Sequence, residues 1–156
     1  PTAADAELPA PPDRDEECRR AAEELGLERL DQAGPDAVLR LEDEVLKART
    51  RHVITETARV RAAQRAIDSG AWPQLGTILT ASHESLRDDL EVSRAELDVA
   101  AEAALEAGAL GARMRLALVP ADRVAAVREL VQQRFESAGW PRPEVRTLPL
   151  PETMGA

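Results

Sequence analysis

Glycine residues divide this chain into segments of the length of single helices. Each such glycine follows a stretch in which apolar or alanine residues recur at helical spacing: Gly26, Gly70, Gly108, Gly111 and Gly139. Glycine commonly ends a helix because it adopts the left-handed backbone conformation at the C-cap without steric cost. The spacing of these breaks predicts about five or six helices.

The start signals are polar caps and helix-initiating prolines. A helix is expected to start near Asp13, Asp36 is expected to cap the next one, and the pair Trp72-Pro73 is expected to open another. The predicted helices lie at 13–25, from Asp36 through Val45, at 50–69, from Trp72 to a polar turn at 87–90, at 94–107, and from Val124 to Gly139.

Two short segments have the character of strands. Residues 114–119 are mostly apolar and end at Pro120, and 143–150 alternate Val145 and Thr147 with polar neighbours. Two such strands make a small sheet. The sequence therefore predicts an α+β fold that is dominated by helices. Residues 14–150 form the predicted domain, 1–13 a flexible proline-rich and alanine-rich tail, and 151–156 a disordered tail.

Composition narrows the possible partners. The formal net charge is −9 at pH 7, which argues against a nucleic-acid partner. Five arginines between 49 and 65 are interpreted as a solvated helix face: Arg49, Arg51, Arg59, Arg61 and Arg65. No apolar run approaches the roughly 20 residues that cross a membrane. The single cysteine, Cys18, cannot form an internal disulfide, which predicts a reducing, cytoplasmic setting.

Three segments of the chain carry a family resemblance. Residues 51–60 read RHVITETARV, 81–93 read ASHESLRDDLEVS with ELD at 96–98, and 111–114 read GARM. They are similar to the galactokinase strings RHVxxENxRV, SHxSLRDDYEVSxxELD and GARM. The chain thus resembles, over about 14–150, the C-terminal half of galactokinases, which are sugar kinases of the GHMP superfamily. The resemblance implies a GHMP kinase C-terminal-like domain, here with a reduced sheet.

The chain departs from that family in two respects. The resemblance implies a glycine-rich TGGGFGG-type loop after GARM, but Arg115 and Leu116 follow Met114 directly. The motifs of the family's N-terminal half, which hold the sugar, the main phosphate loop and the groups acting on the sugar hydroxyl, have no match. The family reaction is ATP-dependent phosphorylation of galactose with Mg²⁺. We therefore expect this chain to be inactive and without cofactor alone, and to use ATP and Mg²⁺ only within a complete galactokinase.

The alternative function is a non-catalytic helical module. Such a module would bind a protein partner, or a second copy, through exposed apolar surface.

No catalytic, cofactor-binding or metal-binding residue is assigned from the sequence. His52 is interpreted as structural, and His83 as part of a hydrogen-bonded cluster at a helix end, with residual ligand contact as the alternative. Asp88 and Asp89 are expected to cap the following helix rather than to bind a divalent cation.

Two further residues have a structural and a functional interpretation. Cys18 is interpreted as a packing residue. Arg113 is expected to form a surface salt bridge, and contact with a nucleotide phosphate is the alternative.

Overall fold

A computed structural model describes residues 12–150, over which five α-helices and one β-hairpin follow one another. The elements are α1 (Arg14–Glu24), α2 (Glu44–Asp68), α3 (Trp72–Asp88), α4 (Ala95–Glu106), β1 (Gly111–Arg113), β2 (Leu116–Leu118) and α5 (Val124–Ser137). Short 3₁₀ turns lie at Leu30–Gln32, Pro35–Arg40 and Ala121–Arg123. The predicted helix-dominated α+β class is confirmed. The predicted tails lie outside the described residues, apart from Pro12 and Asp13.

The N-terminus of α2 differs from the prediction. Asp36 does not cap a helix through Val45, because 35–40 form a 3₁₀ turn and the chain is extended at Leu41. The helix begins instead after Asp43, whose carboxylate accepts the backbone N–H groups of Val45 and Leu46. A local cap of this kind fixes the first turn because those donors have no partner inside the helix.

The predicted single strand at 114–119 is a hairpin in the structure. The first three residues of GARM form β1, and its Met114 forms the turn together with Arg115. Strand β2 follows in antiparallel register, with Arg113 opposite Leu116. Met114 has a positive φ of 52°, which a two-residue hairpin turn requires at its first position.

The predicted closing strand at 143–150 does not form. This segment is irregular and runs beside α5, where Arg128 donates to the Thr147 hydroxyl and Gln132 to the Pro143 carbonyl. Pro143 and Pro149 lack the N–H that a paired strand would donate.

The apolar core consists of two clusters built from small and aliphatic side chains. The first joins α1, the turns after it and the start of α2: Ala21, Ala22, Leu25, Leu30, Ala37, Leu41 and Leu46. The second joins α4, β1 and α5: Ala101, Ala103, Ala104, Ala112, Val127 and Val131. Helix α3 packs against α2 and against β1, and so connects the two halves. No helix within 12–150 is long and apolar enough to cross a membrane.

Helix α3 and β1 touch backbone to backbone at Gly76 and Gly111. A Cβ atom on Gly111 would collide with the Gly76 carbonyl, and one on Gly76 would collide with the Leu110 carbonyl. Only glycine at both positions allows this approach.

We predict that Gly111→Ala lowers the free energy of unfolding by about 3 kcal/mol, because the backbone of α3 cannot yield to the new methyl group. Urea denaturation followed by circular dichroism measures the change. Gly34→Ala is the matched control, since Gly34 has an ordinary φ of −82° and no atom within 4 Å of the added carbon. Equal losses in both variants would contradict the close contact.

Candidate functional site

The three sequence motifs, distant along the chain, meet where β1 lies against α2 and α3. Arg113 on β1 donates through Nε to the Ser82 hydroxyl on α3 at 2.7 Å. Ser82 donates in turn to the Glu56 carboxylate on α2, at 2.8 Å to Oε1. Arg113 also lies 3.5 Å from Glu56 through Nη2, and Arg59 donates to Glu56 at 2.9 Å. We call Glu56, Arg59, Ser82 and Arg113 the motif cluster.

The carboxylate of Glu56 is ionised in this cluster. Burial by itself would raise the pKa of Glu56. The hydrogen bond from Ser82 and the positive charges of Arg59 and Arg113 outweigh burial, so the pKa lies below its ordinary value. The charge of Arg113 is therefore neutralised by Glu56, as the salt-bridge interpretation expected, although the pair is half-buried and not on the open surface.

His83 holds the first residue of the hairpin turn. Its buried ring accepts the Met114 N–H at Nδ1 and contacts Asp98 Oδ1 through Nε2, both at 3.0 Å. Because Nδ1 accepts a backbone N–H, the proton of the neutral ring is on Nε2 and is donated to Asp98. Asp98 also accepts the Ser93 hydroxyl at 2.6 Å. The structure thus places His83 in a hydrogen-bonded cluster, with partners on α4 and the hairpin.

His52 is buried between α2 and α3. Ser85 donates its hydroxyl hydrogen to the Asp89 carboxylate at 3.0 Å, so it accepts a hydrogen bond from His52 Nδ1, also at 3.0 Å. Burial lowers the pKa of His52, which keeps the ring neutral. This geometry is that of a structural histidine, because its donor is taken up by a neighbouring helix.

Asp88 and Asp89 form ion pairs with two different arginines and do not act together as one site. Exposed Asp88 pairs with Arg87, while the Asp89 carboxylate accepts a hydrogen bond from the Arg51 guanidinium at 2.8 Å. The expectation that they cap the next helix is wrong, because α4 begins after Arg94 without a side-chain cap. Within 12–150, no group of three or more His, Cys, Asp or Glu side chains is placed to hold a metal ion.

Arg49 does not belong to the solvated face that the sequence suggested. Its side chain is only 2% exposed. It donates to Glu17 on α1 at 2.5 Å, to the Asp89 carbonyl at 2.6 Å and to Glu91 at 2.8 Å. We call this set the Arg49 network. It connects α1 and α2 to the loop that follows α3.

The position of Arg49 relative to apolar residues of α2 indicates that its side chain is buried. Arg49 lies three residues after buried Leu46 and four before half-buried Val53, so it shares their face of α2. Of the other arginines in the run, Arg51, Arg61 and Arg65 are exposed.

Cys18 contributes to packing. The half-buried thiol lies against the first core cluster, and burial raises its pKa. A thiol in this environment is a poor nucleophile at neutral pH.

Comparisons with known proteins place these features in a family. No model of a known protein family matches the chain. Galactokinase of Mycobacterium tuberculosis is 39% identical over an alignment of 139 residues that covers 82% of this chain and 38% of that protein. Galactokinase of Lactococcus lactis subsp. lactis is 43% identical over 109 residues, covering 64% of this chain and 27% of that protein.

A solved structure agrees with these relatives. The crystal structure of L. lactis galactokinase complexed with galactose superposes with a TM-score of 0.74 at 35% identity, over 82% of this chain and 38% of that one.

The structure is a helix-dominated α+β domain with a two-stranded sheet. Within that class the chain belongs with the galactokinases, as a counterpart of their C-terminal domain. It spans 38% of the length of the M. tuberculosis relative and of the solved L. lactis structure.

We predict that Arg49→Ala lowers the free energy of unfolding by about 3 kcal/mol, because it leaves the half-buried Glu17 carboxylate without its main partner. Chemical denaturation at neutral pH measures the loss. Arg51→Ala serves as the control, since Arg51 is 49% exposed and forms one ion pair, so we expect a loss of less than about 1 kcal/mol. A small effect of Arg49→Ala would show that the network does not hold α1.

The motif cluster should make stability depend on acidity. Since the folded pKa of Glu56 lies below its ordinary value of 4.5, its contribution is complete above that pH and is lost as the pH falls through the folded value. We expect Glu56→Gln to be less stable than the parent chain by about 1–2 kcal/mol at neutral pH. The gap should close in acid.

Denaturation curves of both proteins across the acidic range test this expectation. Glu44→Gln is the control, because Glu44 is 84% exposed and makes one surface pair with Lys47. A gap that stays constant into strong acid would contradict the role given to the Glu56 charge.

Proposed function

We propose that this chain is a galactokinase-type C-terminal domain that does not phosphorylate galactose by itself. The observation that supports this proposal is its similarity over 82% of its own length to proteins of which it spans 38%. Phosphorylation of galactose by ATP would then be a property of a complete galactokinase, of which this fold is one part. We place such an enzyme in cytoplasmic galactose metabolism.

The residues near the hairpin do not fit an ATP phosphate group. A phosphate cradle needs free backbone N–H groups or unneutralised cations. The Met114 N–H donates to His83, and the Arg113 guanidinium is bound by Ser82 and Glu56. Arg115 is exposed at the turn, but a single cation on a two-residue turn does not surround a phosphate.

Phosphoryl transfer depends on positioning and on charge stabilisation around the transferred group. In this chain the polar groups of the motif cluster are bound to one another and hold β1 against α2 and α3. We therefore assign the cluster the task of fixing the hairpin, and assign the reaction to residues outside this chain.

A second candidate is a non-catalytic interaction module. It is favoured by large apolar side chains that remain exposed on the described surface, namely Leu39, Val60, Leu116 and Leu148 at 62–86% exposure. Such residues are compatible with a contact to another polypeptide.

Thermal denaturation with and without ligand tests the first candidate. We expect no change in Tm with galactose or with ATP and Mg²⁺, and no galactose phosphate in an activity assay, because a ligand raises Tm only where the folded state binds it. Complete L. lactis galactokinase is the positive control. A rise in Tm with galactose would contradict the proposal, since it would require a sugar site within this chain.

A further inference from the structure

The two edges of the β-hairpin are in different environments. The Ala112 N–H on β1 donates to the Thr80 hydroxyl at 3.3 Å, and the N–H of Met114, the first turn residue, donates to His83 at 3.0 Å, so α3 covers the outer edge of β1. N–H groups alternate between the two sides of a strand. Ala117 lies directly opposite Ala112, and its N–H and C=O therefore point away from β1.

This outer edge of β2 is open. Leu116 and Ala117 are exposed, Leu116 at 62%. Among residues 12–150, no side chain and no backbone group outside the hairpin forms a hydrogen bond with Ala117. An open strand edge is a template for another strand, and a two-stranded sheet gains stability when further strands are added.

We propose that the open edge of β2 pairs with β2 of a second copy of this chain. The strand reads Leu116-Ala117-Leu118, which is the same in both directions. Antiparallel pairing about a two-fold axis at Ala117 places Leu116 of each copy opposite Leu118 of the other. Such a contact is self-complementary, as a two-fold interface requires.

Neither the flanking residues nor the far edges oppose this arrangement. In the same register Arg115 lies opposite Val119, so no like charges face each other across the strands. The result is a four-stranded sheet whose outermost strands are the two copies of β1. Because α3 covers the outer edge of each β1, the assembly closes as a dimer and does not extend into a fibre.

The charge of the chain sets how the dimer responds to salt. Each copy carries a formal charge of −9 at pH 7, so two copies repel each other at low ionic strength. The contact between the strands is uncharged. Salt screens the repulsion and leaves the pairing intact, and the dimer is therefore tighter at higher ionic strength.

Sedimentation velocity over a concentration series tests the proposal. We expect a monomer–dimer equilibrium that Leu116→Lys weakens about tenfold, because a lysine replaces an apolar cross-strand contact twice per dimer and opposes edge pairing. Leu148→Lys is the matched control, since Leu148 is 84% exposed and lies in the irregular segment beside α5, so its dimer should be unchanged. A chain that stays monomeric at its highest soluble concentration would overturn the proposal.

Two measurements locate the contact. In the unmodified chain, exchange of the Ala117 amide hydrogen should slow as the concentration rises. In a Cys18→Ala background, Ala117→Cys should form a disulfide between copies under a mild oxidant, because directly opposed residues have Cα atoms about 5.5 Å apart, within disulfide range. Ala138→Cys, exposed at the end of α5, should not cross-link. Association without protection of Ala117 would assign the contact to another surface and overturn the proposal.

Discussion

The contact between Gly76 and Gly111 is the constraint on which the rest of this structure depends. Two backbones meet there without side chains between them, and β1 consequently lies within hydrogen-bonding distance of α3. The same approach brings the Met114 N–H to His83 and the Arg113 guanidinium to Ser82. A methyl group at either glycine would move the hairpin away and separate these polar partners at once.

Polar networks carry much of the specificity because the apolar clusters are built largely from small side chains. Alanine contributes four of the six buried residues of the second cluster, and alanine buries little area and imposes little shape. The Arg49 network and the motif cluster each bind charged groups from elements that are far apart in sequence. The directions of these hydrogen bonds fix the relative positions of α1, α2 and β1. Contacts between alanine surfaces alone would define those positions less sharply.

The glycine signals at helix ends predict the structure correctly, whereas the caps expected at Asp36, Asp88 and Asp89 do not form and features that depend on distant partners are not predicted. The ends of α1 and α2 follow from Gly26 and Gly70, both of which have positive φ in the structure. The hairpin is not predicted because Gly111–Arg113 is a strand through its pairing with β2, and its position depends on α3, which is distant in sequence. The predicted strand at 143–150 satisfied alternation, but within residues 12–150 it pairs with no strand and lies beside α5. Burial of Arg49 depends on Glu17, which is 32 residues away, although its position beside Leu46 on α2 indicated a buried face.

The turn at Met114 is the place where this domain keeps the fold that the family resemblance implies but has a two-residue turn instead of the implied glycine-rich loop. A glycine-rich loop presents several N–H groups to an anion because its glycines leave those groups unpaired. Here the turn contains two residues, its first N–H is bound by a buried histidine, and the neighbouring arginine is neutralised by Glu56. The motif residues Glu56, Ser82 and His83 lie on the helices that pack against the hairpin, and they form hydrogen bonds with it or with one another in the absence of such a loop. The hairpin is thus held by the Gly76–Gly111 contact and by hydrogen bonds to Ser82 and His83, and similarity in this region indicates a shared fold more directly than a shared reaction.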